Sequence, residues 1–136
     1  MKKTTLGDMW KVLTPRQCAL AAADIAELVL HVYEKKYPGD GRPREAIKAA
    51  RGNDKNKAQV AAYAANAAAN AAYAAYAAYA AYAAANAANA ANDAYAAAYA
   101  ANAAYFAKKS NKRTKKEMEL EQMHIAIDYL IGDRGE

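Results

Sequence analysis

The side chains that could do chemistry in the centre of this chain are phenols, amides and a single carboxylate. The stretch from Ala61 to Tyr105 contains thirty Ala, eight Tyr, six Asn and one Asp, and it has no His, Cys, Ser, Thr, Lys, Arg or Glu. Nucleophilic, acid/base and metal chemistry usually depend on the missing residue types. The composition therefore indicates binding rather than a reaction.

Tyrosines recur through this Ala-rich tract and are its strongest candidates for a binding surface. A phenol ring stacks on flat groups, hydrogen-bonds at its tip and is enriched at protein interfaces. The alternative is that the rings fill spaces between alanine helices, and the sequence leaves both interpretations open. The predicted partner-binding residues are Tyr73, Tyr76, Tyr79, Tyr82, Asn86, Asn89, Tyr95 and Tyr99.

The asparagines of the tract have two interpretations of their own. Their amides can contact adenine edges or the backbone of a partner. Asparagine on a helix is more often solvated, or caps a break in the helix. The six are Asn66, Asn70, Asn86, Asn89, Asn92 and Asn102.

Basic residues lie beside the tract rather than in it, and the formal net charge of the chain is +5. A charge of this size falls short of a nucleic-acid-binding signature. Two weak candidates for anion binding stand out, although solvated lysines and arginines are the commoner outcome. They are Arg42 with Arg44, and the run that contains Lys108, Lys109, Lys112 and Arg113.

The remaining reactive side chains form no recognisable catalytic or metal-binding motif. His31 and His124 fall on separate predicted helices, which favours structural or surface roles for both. The only cysteine, Cys18, lies on a predicted apolar face, where a buried thiol is the favoured interpretation. We therefore expect no enzyme activity, no metal site and no cofactor.

Capping signals predict the helices that precede the tract. A short helix is expected around Trp10, and Thr14-Pro15-Arg16-Gln17 forms a capping box that should open a helix running to about Lys36. A turn follows at Pro38, a second helix should run from Arg42 to Arg51, and Asp54 can cap the helix that leads into the tract.

The spacing of large residues decides how the tract should fold. Tyr and Asn recur on average every 3.2 residues, so on a helix of 3.6 residues per turn the stripe drifts around the axis. A continuous helix would be about 70 Å long, which does not fit a compact domain. We therefore predict an antiparallel hairpin of two Ala-rich helices, with the bend between Asn86 and Asp93. A local 3₁₀ winding of the Ala-Ala-Tyr triplets is the alternative.

The whole chain is predicted to be one all-α domain, a compact helical bundle. Helices from residues 13–57 precede the tract at 58–107, a basic linker covers 108–116, and an amphipathic C-terminal helix covers 117–132 and stops at Gly132. Because the tract lacks Leu and Ile, it should not span a membrane. A cytoplasmic location is expected.

The N-terminal region, about residues 13–51, resembles a family of alanine-rich, immunity-protein-like proteins of bacteria and phages. That resemblance implies an all-helical fold and an inhibitor of a toxin or defence system. The tract departs from the family pattern, because family members often carry Trp, Arg, His or Asp there. The matching residues include Leu13-Thr14-Pro15-Arg16-Gln17-Cys18-Ala19-Leu20, Tyr33-Glu34-Lys35-Lys36-Tyr37-Pro38, Asp40, Arg42-Pro43 and Ala49-Ala50-Arg51.

Two functions from different classes follow. The leading hypothesis is a non-enzymatic binding protein, immunity-like or anti-defence, that contacts a host or toxin protein through its Tyr/Asn surface. The alternative is a nucleotide or single-stranded nucleic-acid binder that combines Tyr stacking with nearby Lys and Arg. Self-association into a homo-oligomer is compatible with both.

Overall fold

The computed structural model of the protein describes residues 5–110 and 115–132. Within these two ranges the chain is all-α and has no strand, which confirms the predicted fold class. No helix there is long and apolar enough to cross a bilayer. The helices are α1 (Leu6–Val12), α2 (Pro15–Lys36), α3 (Arg42–Arg51), α4 (Lys55–Ala71), α5 (Ala75–Asn92), α6 (Ala96–Ser110) and α7 (Lys115–Ile131).

The N-terminal helices begin and end where their capping residues predict. The backbone N–H of Gln17 donates to Thr14 Oγ1 over 3.1 Å, and the N–H of Thr14 donates to Gln17 Oε1 over 2.9 Å. Asp54 caps α4 by accepting a hydrogen bond from the N–H of Lys57 at 3.1 Å. Local sequence is sufficient here because each cap and its partner are three residues apart.

Helix α5 is the centre of the molecule. It packs against α2 and α3 on one side and lies between α4 and α6, so that α4, α5 and α6 form one layer and α2 with α3 the other. Its buried residues are almost all alanines, and Ala80, Ala81 and Ala83 have no exposed surface. Because an Ala side chain is a single methyl group, four neighbouring helices can approach α5 closely along most of its length.

The Ala-rich tract forms three helices, so the prediction of a two-helix hairpin was wrong in number. The predicted bend is present: Asp93 ends α5, and its Oδ1 accepts a hydrogen bond from the N–H of Tyr95 over 2.9 Å. A second break lies at residues 72–74, where the sequence contains only Ala and Tyr. Both breaks reverse the chain, since Tyr82 contacts Asn70 across α4 and α5, and Ser110 contacts Tyr76 across α5 and α6.

A tertiary contact explains the second break. The hydroxyl oxygen of Tyr37, at the end of α2, accepts hydrogen bonds from the backbone N–H groups of Tyr73 at 2.8 Å and Ala74 at 3.4 Å. These groups lie at the start of α5, where the backbone has no helical acceptor and Ala74 has no side-chain cap of its own. A residue 36 positions earlier therefore provides the missing cap.

Polar contacts as well as apolar packing attach α7 to the bundle. Gln17 Nε2 donates to the carbonyl oxygen of Tyr129 at 3.0 Å, and the Tyr129 hydroxyl donates to Asp24 Oδ2 at 2.6 Å. Gln122 is fully buried and donates to the carbonyl oxygen of Ala104 on α6 at 3.0 Å. Helix α7 ends at Ile131, and the following Gly132 has a φ of 85° that favours glycine.

The basic linker begins later in the chain than was predicted. Helix α6 continues through Ser110, so Lys108 and Lys109 are helical residues rather than linker residues. Residues 111–114 of the predicted linker lie outside the described ranges.

Candidate binding surface

None of the eight tyrosines in the tract is buried in the core. Alanines occupy the interior of α4, α5 and α6, and the larger side chains remain at the surface. Tyr73 is 99% exposed and Tyr76 is 51% exposed, while Tyr79, Tyr82 and Tyr99 are half-buried. The remaining three, Tyr63, Tyr95 and Tyr105, are also exposed. The rings therefore lie around the alanine core instead of forming it.

Four of the predicted site residues form one ridge along α5. Tyr79, Tyr82, Asn86 and Asn89 follow one another at spacings of three, four and three residues, which keeps them on one side of a helix. The intervening alanines at positions 80, 81, 83, 84, 85, 87 and 88 are buried. The rotation of the stripe around the helix axis that was predicted for one continuous helix does not accumulate, because each break in the tract starts a new helix.

Contacts between rings connect this ridge to both neighbouring helices. The Phe106 ring on α6 lies 6.1 Å from the Tyr79 ring in a stacked arrangement and 5.2 Å from the Tyr82 ring, centroid to centroid. The Tyr82 hydroxyl donates to Asn70 Oδ1 on α4. Tyr82 thus bridges α4 and α6 across the outer side of α5, the side that faces away from α2 and α3.

Helix α6 adds an aromatic edge with one cation. The Tyr105 ring meets the Phe106 ring edge-on at 5.3 Å, and Lys109 Nζ lies 5.4 Å from the centroid of the Tyr105 ring. Such a cation over a ring face is attracted by the quadrupole of the ring. Seven residues before Phe106, Tyr99 lies on the same side of α6, two turns away. We call Asn70, Tyr79, Tyr82, Tyr99, Tyr105 and Phe106, with Asn89 and Asn102, the Tyr/Asn face.

The asparagines differ in how much they can offer a partner. Asn86 is only 9% exposed, and its Nδ2 donates to the carbonyl oxygen of Tyr82 at 2.8 Å. Asn92 makes a similar contact with the carbonyl oxygen of Ala88 at 3.0 Å. Asn89 is half-exposed and Asn102 is exposed. Asn86 therefore supports the ridge from below, whereas Asn89 and Asn102 present their amides at the surface.

The other predicted site tyrosines lie at the two ends of the tract. Tyr73 and Tyr76 are at the α4–α5 turn, where the Ser110 hydroxyl donates to the carbonyl oxygen of Tyr76 at 2.8 Å. Tyr95 lies at the α5–α6 turn, which is the opposite end of α5, and is 73% exposed. The predicted residues thus form one continuous ridge with exposed tyrosines beyond each of its ends.

The predicted anion-binding residues do not form one cluster. Arg42 Nη2 lies 2.7 Å from Asp40 Oδ2, and Arg44 Nη2 lies 2.6 Å from Glu34 Oε1. Lys108 is on a different helix and pairs with Glu119 at 3.3 Å. Lys112 and Arg113 lie outside the described residues. Since carboxylates already neutralise Arg42, Arg44 and Lys108, these side chains give little support to an anion site.

The ion pair between Arg42 and Asp40 extends to the buried side chain of Tyr33. Tyr33 donates from its hydroxyl to Asp40 Oδ2 at 2.5 Å. Hydrogen bonds from the Arg42 guanidinium hold the pKa of Asp40 far below its usual range, with a further contribution from Tyr33. Burial, and then the Asp40 carboxylate, raises the pKa of Tyr33 to about 12. The network joins α2 to the start of α3 and is structural.

Histidine and cysteine provide no catalytic arrangement among the described residues. His31 and His124 are both exposed, on α2 and α7. Cys18 is buried, and burial raises the pKa of its thiol to about 11, which leaves it protonated and unreactive at neutral pH. Within residues 5–110 and 115–132, no group of three or more His, Cys, Asp or Glu side chains could hold a metal ion.

Sequence reasoning missed Phe106 as a member of the surface, and it named Asn70 only among the asparagines of the tract, without its pairing with Tyr82. The seven-residue spacing from Tyr99 to Phe106 was an available signal, because it places both on one side of a helix. The pairing of Asn70 with Tyr82 had no such signal, since it depends on the break at residues 72–74.

Comparisons with known proteins return no match: no family model fits this chain, and neither the curated proteins nor the solved structures yield a similar one.

Proposed function

We propose that this chain is a non-enzymatic binding protein that contacts a partner protein through its Tyr/Asn face. The observation that carries the proposal is the continuity of that face: Phe106 joins Tyr79 and Tyr82, and Tyr82 reaches Asn70 on the next helix. Three helices thereby contribute to one surface composed of rings and amides.

The chemistry of the face suits protein recognition. Tyr supplies large, rigid contact area at low entropic cost, and Asn supplies adaptable hydrogen bonds, a combination that antibody binding loops also use. Here a rigid alanine core holds these groups on helices, so little order has to be gained on binding. The tract contributes a single charged residue, Asp93, and this favours contacts made by rings and amides over ion pairs.

The partner we propose is a bacterial host protein or a toxin, in keeping with the resemblance of residues 13–51 to immunity-like proteins. In the proposed setting, the cytoplasm of a bacterium or a phage-infected cell, the chain blocks its target by covering it. The resembling segment forms α2 and α3, which lie behind the Tyr/Asn face and support α5. The tract that departs from the family pattern supplies the face itself, so we infer that target choice is specific to this chain.

Nucleic-acid binding has less support from the described surface. Its strong salt dependence arises from several lysines or arginines near phosphates. Lys109 is the one lysine or arginine that the described contacts place against a ring of the face. Fluorescence anisotropy with labelled single-stranded DNA at low salt distinguishes the two classes.

A quantitative pull-down from bacterial lysate tests the proposal. The wild-type chain should retain a saturable protein partner, and Tyr79→Ala combined with Tyr105→Ala should reduce its recovery at least about tenfold, as expected when aromatic anchors of the face are lost. Val12→Ala, at a 63% exposed position on α1, is the matched control and should bind as the wild type does. Recovery of the partner by the double variant at the wild-type level, or the absence of any saturable partner, would contradict the proposal.

A further inference from the structure

The end of the bundle at which α5 begins brings three helix termini together. The Tyr37 hydroxyl, directly after the last turn of α2, accepts a hydrogen bond from the N–H of Tyr73 at 2.8 Å. Ser110, the last residue of α6, donates from its hydroxyl to the carbonyl oxygen of Tyr76 at 2.8 Å. The last turns of α2 and α6 therefore lie beside the first turn of α5.

Lysines without a carboxylate partner occupy these last turns. Lys35 and Lys36 are exposed on α2, and Lys109 is exposed on α6. Lys108 pairs with Glu119 at 3.3 Å, whereas the other three lysines form no ion pair with any described residue. Cations at a helix C-terminus complement the helix dipole, and an ammonium group still has three hydrogens to donate. Three positive charges are thus open to a partner here.

The carboxylates near these lysines do not neutralise them, because they already have partners. Arg44 donates two hydrogen bonds of 2.6 Å to the two oxygens of Glu34. Asp40 accepts hydrogen bonds from Arg42 and Tyr33. Further carboxylates in the first turns of α7 also have interactions of their own: Glu117, Glu119 and Glu121. The unpaired charge at this end of the bundle is therefore positive.

Exposed rings accompany the lysines and connect them with the Tyr/Asn face. Tyr73 and Tyr76 are the exposed tyrosines at the start of α5. Lys109 Nζ lies 5.4 Å from the centroid of the Tyr105 ring, which belongs to the face. A partner that covers the Tyr/Asn face can therefore reach this end as well. The residues that we call the lysine end are Lys35, Lys36, Lys109, Tyr73 and Tyr76.

We propose that the lysine end binds an acidic segment, rich in Asp and Glu, of the partner protein that covers the Tyr/Asn face. The inference rests on the proposed function for the partner being a protein, and it adds the charge of the segment that meets this end. Carboxylates of such a segment complement the three unpaired ammonium groups. A nucleic acid fits less well, because three lysines neutralise few phosphates.

Fluorescence anisotropy with labelled probes tests the charge of the ligand. The probes are a glutamate-rich peptide, the same peptide with glutamine at every glutamate, and single-stranded DNA with as many negative charges as the first peptide. At about 0.1 M salt the wild-type chain should bind the glutamate peptide saturably, and at least about tenfold more tightly than the glutamine peptide or the DNA. Added salt should weaken this binding, since exposed charges are screened.

Variants of the lysines locate the binding. Lys36→Glu combined with Lys109→Glu should weaken binding of the glutamate peptide about tenfold or more. Lys36→Arg combined with Lys109→Arg keeps both charges and should bind as the wild type does. Circular dichroism confirms that every variant is folded.

The matched control changes the net charge equally at the other end of α4. Lys55→Glu combined with Lys57→Glu alters two exposed lysines in the first turn of that helix. Since α4 is about 25 Å long and the Debye length at 0.1 M salt is about 10 Å, this variant should bind the glutamate peptide within about twofold of the wild type.

A carbodiimide, which joins a lysine amine directly to a carboxylate, identifies the contacting side chains. Mass spectrometry should find adducts of the glutamate peptide at Lys36 and Lys109, and few at Lys55 and Lys57. The double arginine variant should still bind the peptide but lose the adducts at its two altered positions.

Several results would overturn the proposal. They are equal binding of the two peptides, equal losses in the two glutamate double variants, adducts as abundant at Lys55 and Lys57, and no saturable binding. Tighter binding of the DNA, lost in Lys36→Glu with Lys109→Glu, would assign the lysine end to a nucleic acid instead.

Failure of this inference is distinguishable from failure of the proposed function. A lysate partner that Lys36→Glu with Lys109→Glu still retains, and that Tyr79→Ala with Tyr105→Ala loses, would end the inference and leave the proposed function intact. Binding of the glutamate peptide at the lysine end without any saturable lysate partner would instead contradict the proposed function.

Discussion

At the scale of single residues, the most informative contacts join segments that are distant along the chain. Tyr33 and Asp40 link the end of α2 to the start of α3, and Tyr37 caps α5 from the same turn. The Tyr-Pro turn of the sequence contributes to two helix junctions in this way. Residue type alone could identify Pro38 as a turn former, but it could not show which backbone groups the neighbouring phenol would satisfy.

The Asp40 network predicts a specific dependence of stability on acid. Because the pKa of Asp40 is lower in the folded chain than in the unfolded one, its contribution is present above about pH 4 and is lost as the pH falls toward the folded value. Asp40→Asn should lower the free energy of unfolding by about 1–2 kcal/mol at neutral pH. Urea denaturation at several pH values measures this.

The difference between the wild type and Asp40→Asn should shrink as the pH is lowered, since the carboxyl becomes protonated in both states. Glu45→Gln is the control, because Glu45 makes only an exposed ion pair with Lys48. A pH-independent difference between the wild type and Asp40→Asn would contradict the assignment of the pKa shift to Arg42 and Tyr33.

The cap provided by Tyr37 predicts a local effect at the α4–α5 turn. Tyr37→Phe removes the acceptor of the Tyr73 and Ala74 N–H groups, and should cost about 1 kcal/mol of stability. Hydrogen exchange should accelerate at those two amides before it does elsewhere in the bundle. Tyr63→Phe, at an exposed position on α4, should leave exchange unchanged. Unaltered protection at Tyr73 in Tyr37→Phe would show that another group holds the turn.

At the scale of elements, a helix boundary could be predicted from the sequence where its capping residue lies close to it along the chain. The sequence was sufficient for α2 and α3, whose bounds follow from Thr14, Gln17 and Gly52 close by. The break at Asp93 was predicted because a cluster of asparagines that ends in Asp93 marks it. The break at residues 72–74 was not predicted, because the residue that caps it, Tyr37, lies at the end of α2. Without this break, the third helix of the tract was not predicted either.

The central position of α5 predicts that it tolerates no larger residues on its buried side. Ala84 has no exposed surface, and four other helices pack around α5. Ala84→Leu should therefore destabilise the chain by about 1–3 kcal/mol or more through overpacking. Thermal and urea unfolding provide the measurement.

Ala101→Leu is the matched control, because Ala101 is an exposed alanine of α6. It adds the same side chain and should change the stability by less than about 0.5 kcal/mol. Equal effects at the two positions would contradict the close packing of helices around α5.

At the scale of the whole molecule, the Ala-rich tract has its small side chains inside and its rings outside. A core of alanines gives each helix less apolar burial than leucine would, and the bulky anchors lie on α1, α2, α3 and α7. The absence of Leu and Ile from the tract agrees with this position of the anchors, since the large aliphatic residues occur only before and after it. Whether the tyrosines pointed inward or outward depended on where the tract broke, which composition alone does not specify.

Site-specific photo-crosslinking most directly tests the claim that the Tyr/Asn face is where a partner binds. A photoreactive phenylalanine analogue replaces Asn102, exposed on α6, or His31, exposed on α2 in the other layer. In bacterial lysate the Asn102 position should yield a discrete protein adduct that excess unlabelled wild-type chain suppresses, and the His31 position should yield none. Equal adducts from both positions, or an adduct from His31 alone, would contradict the assignment of binding to this face.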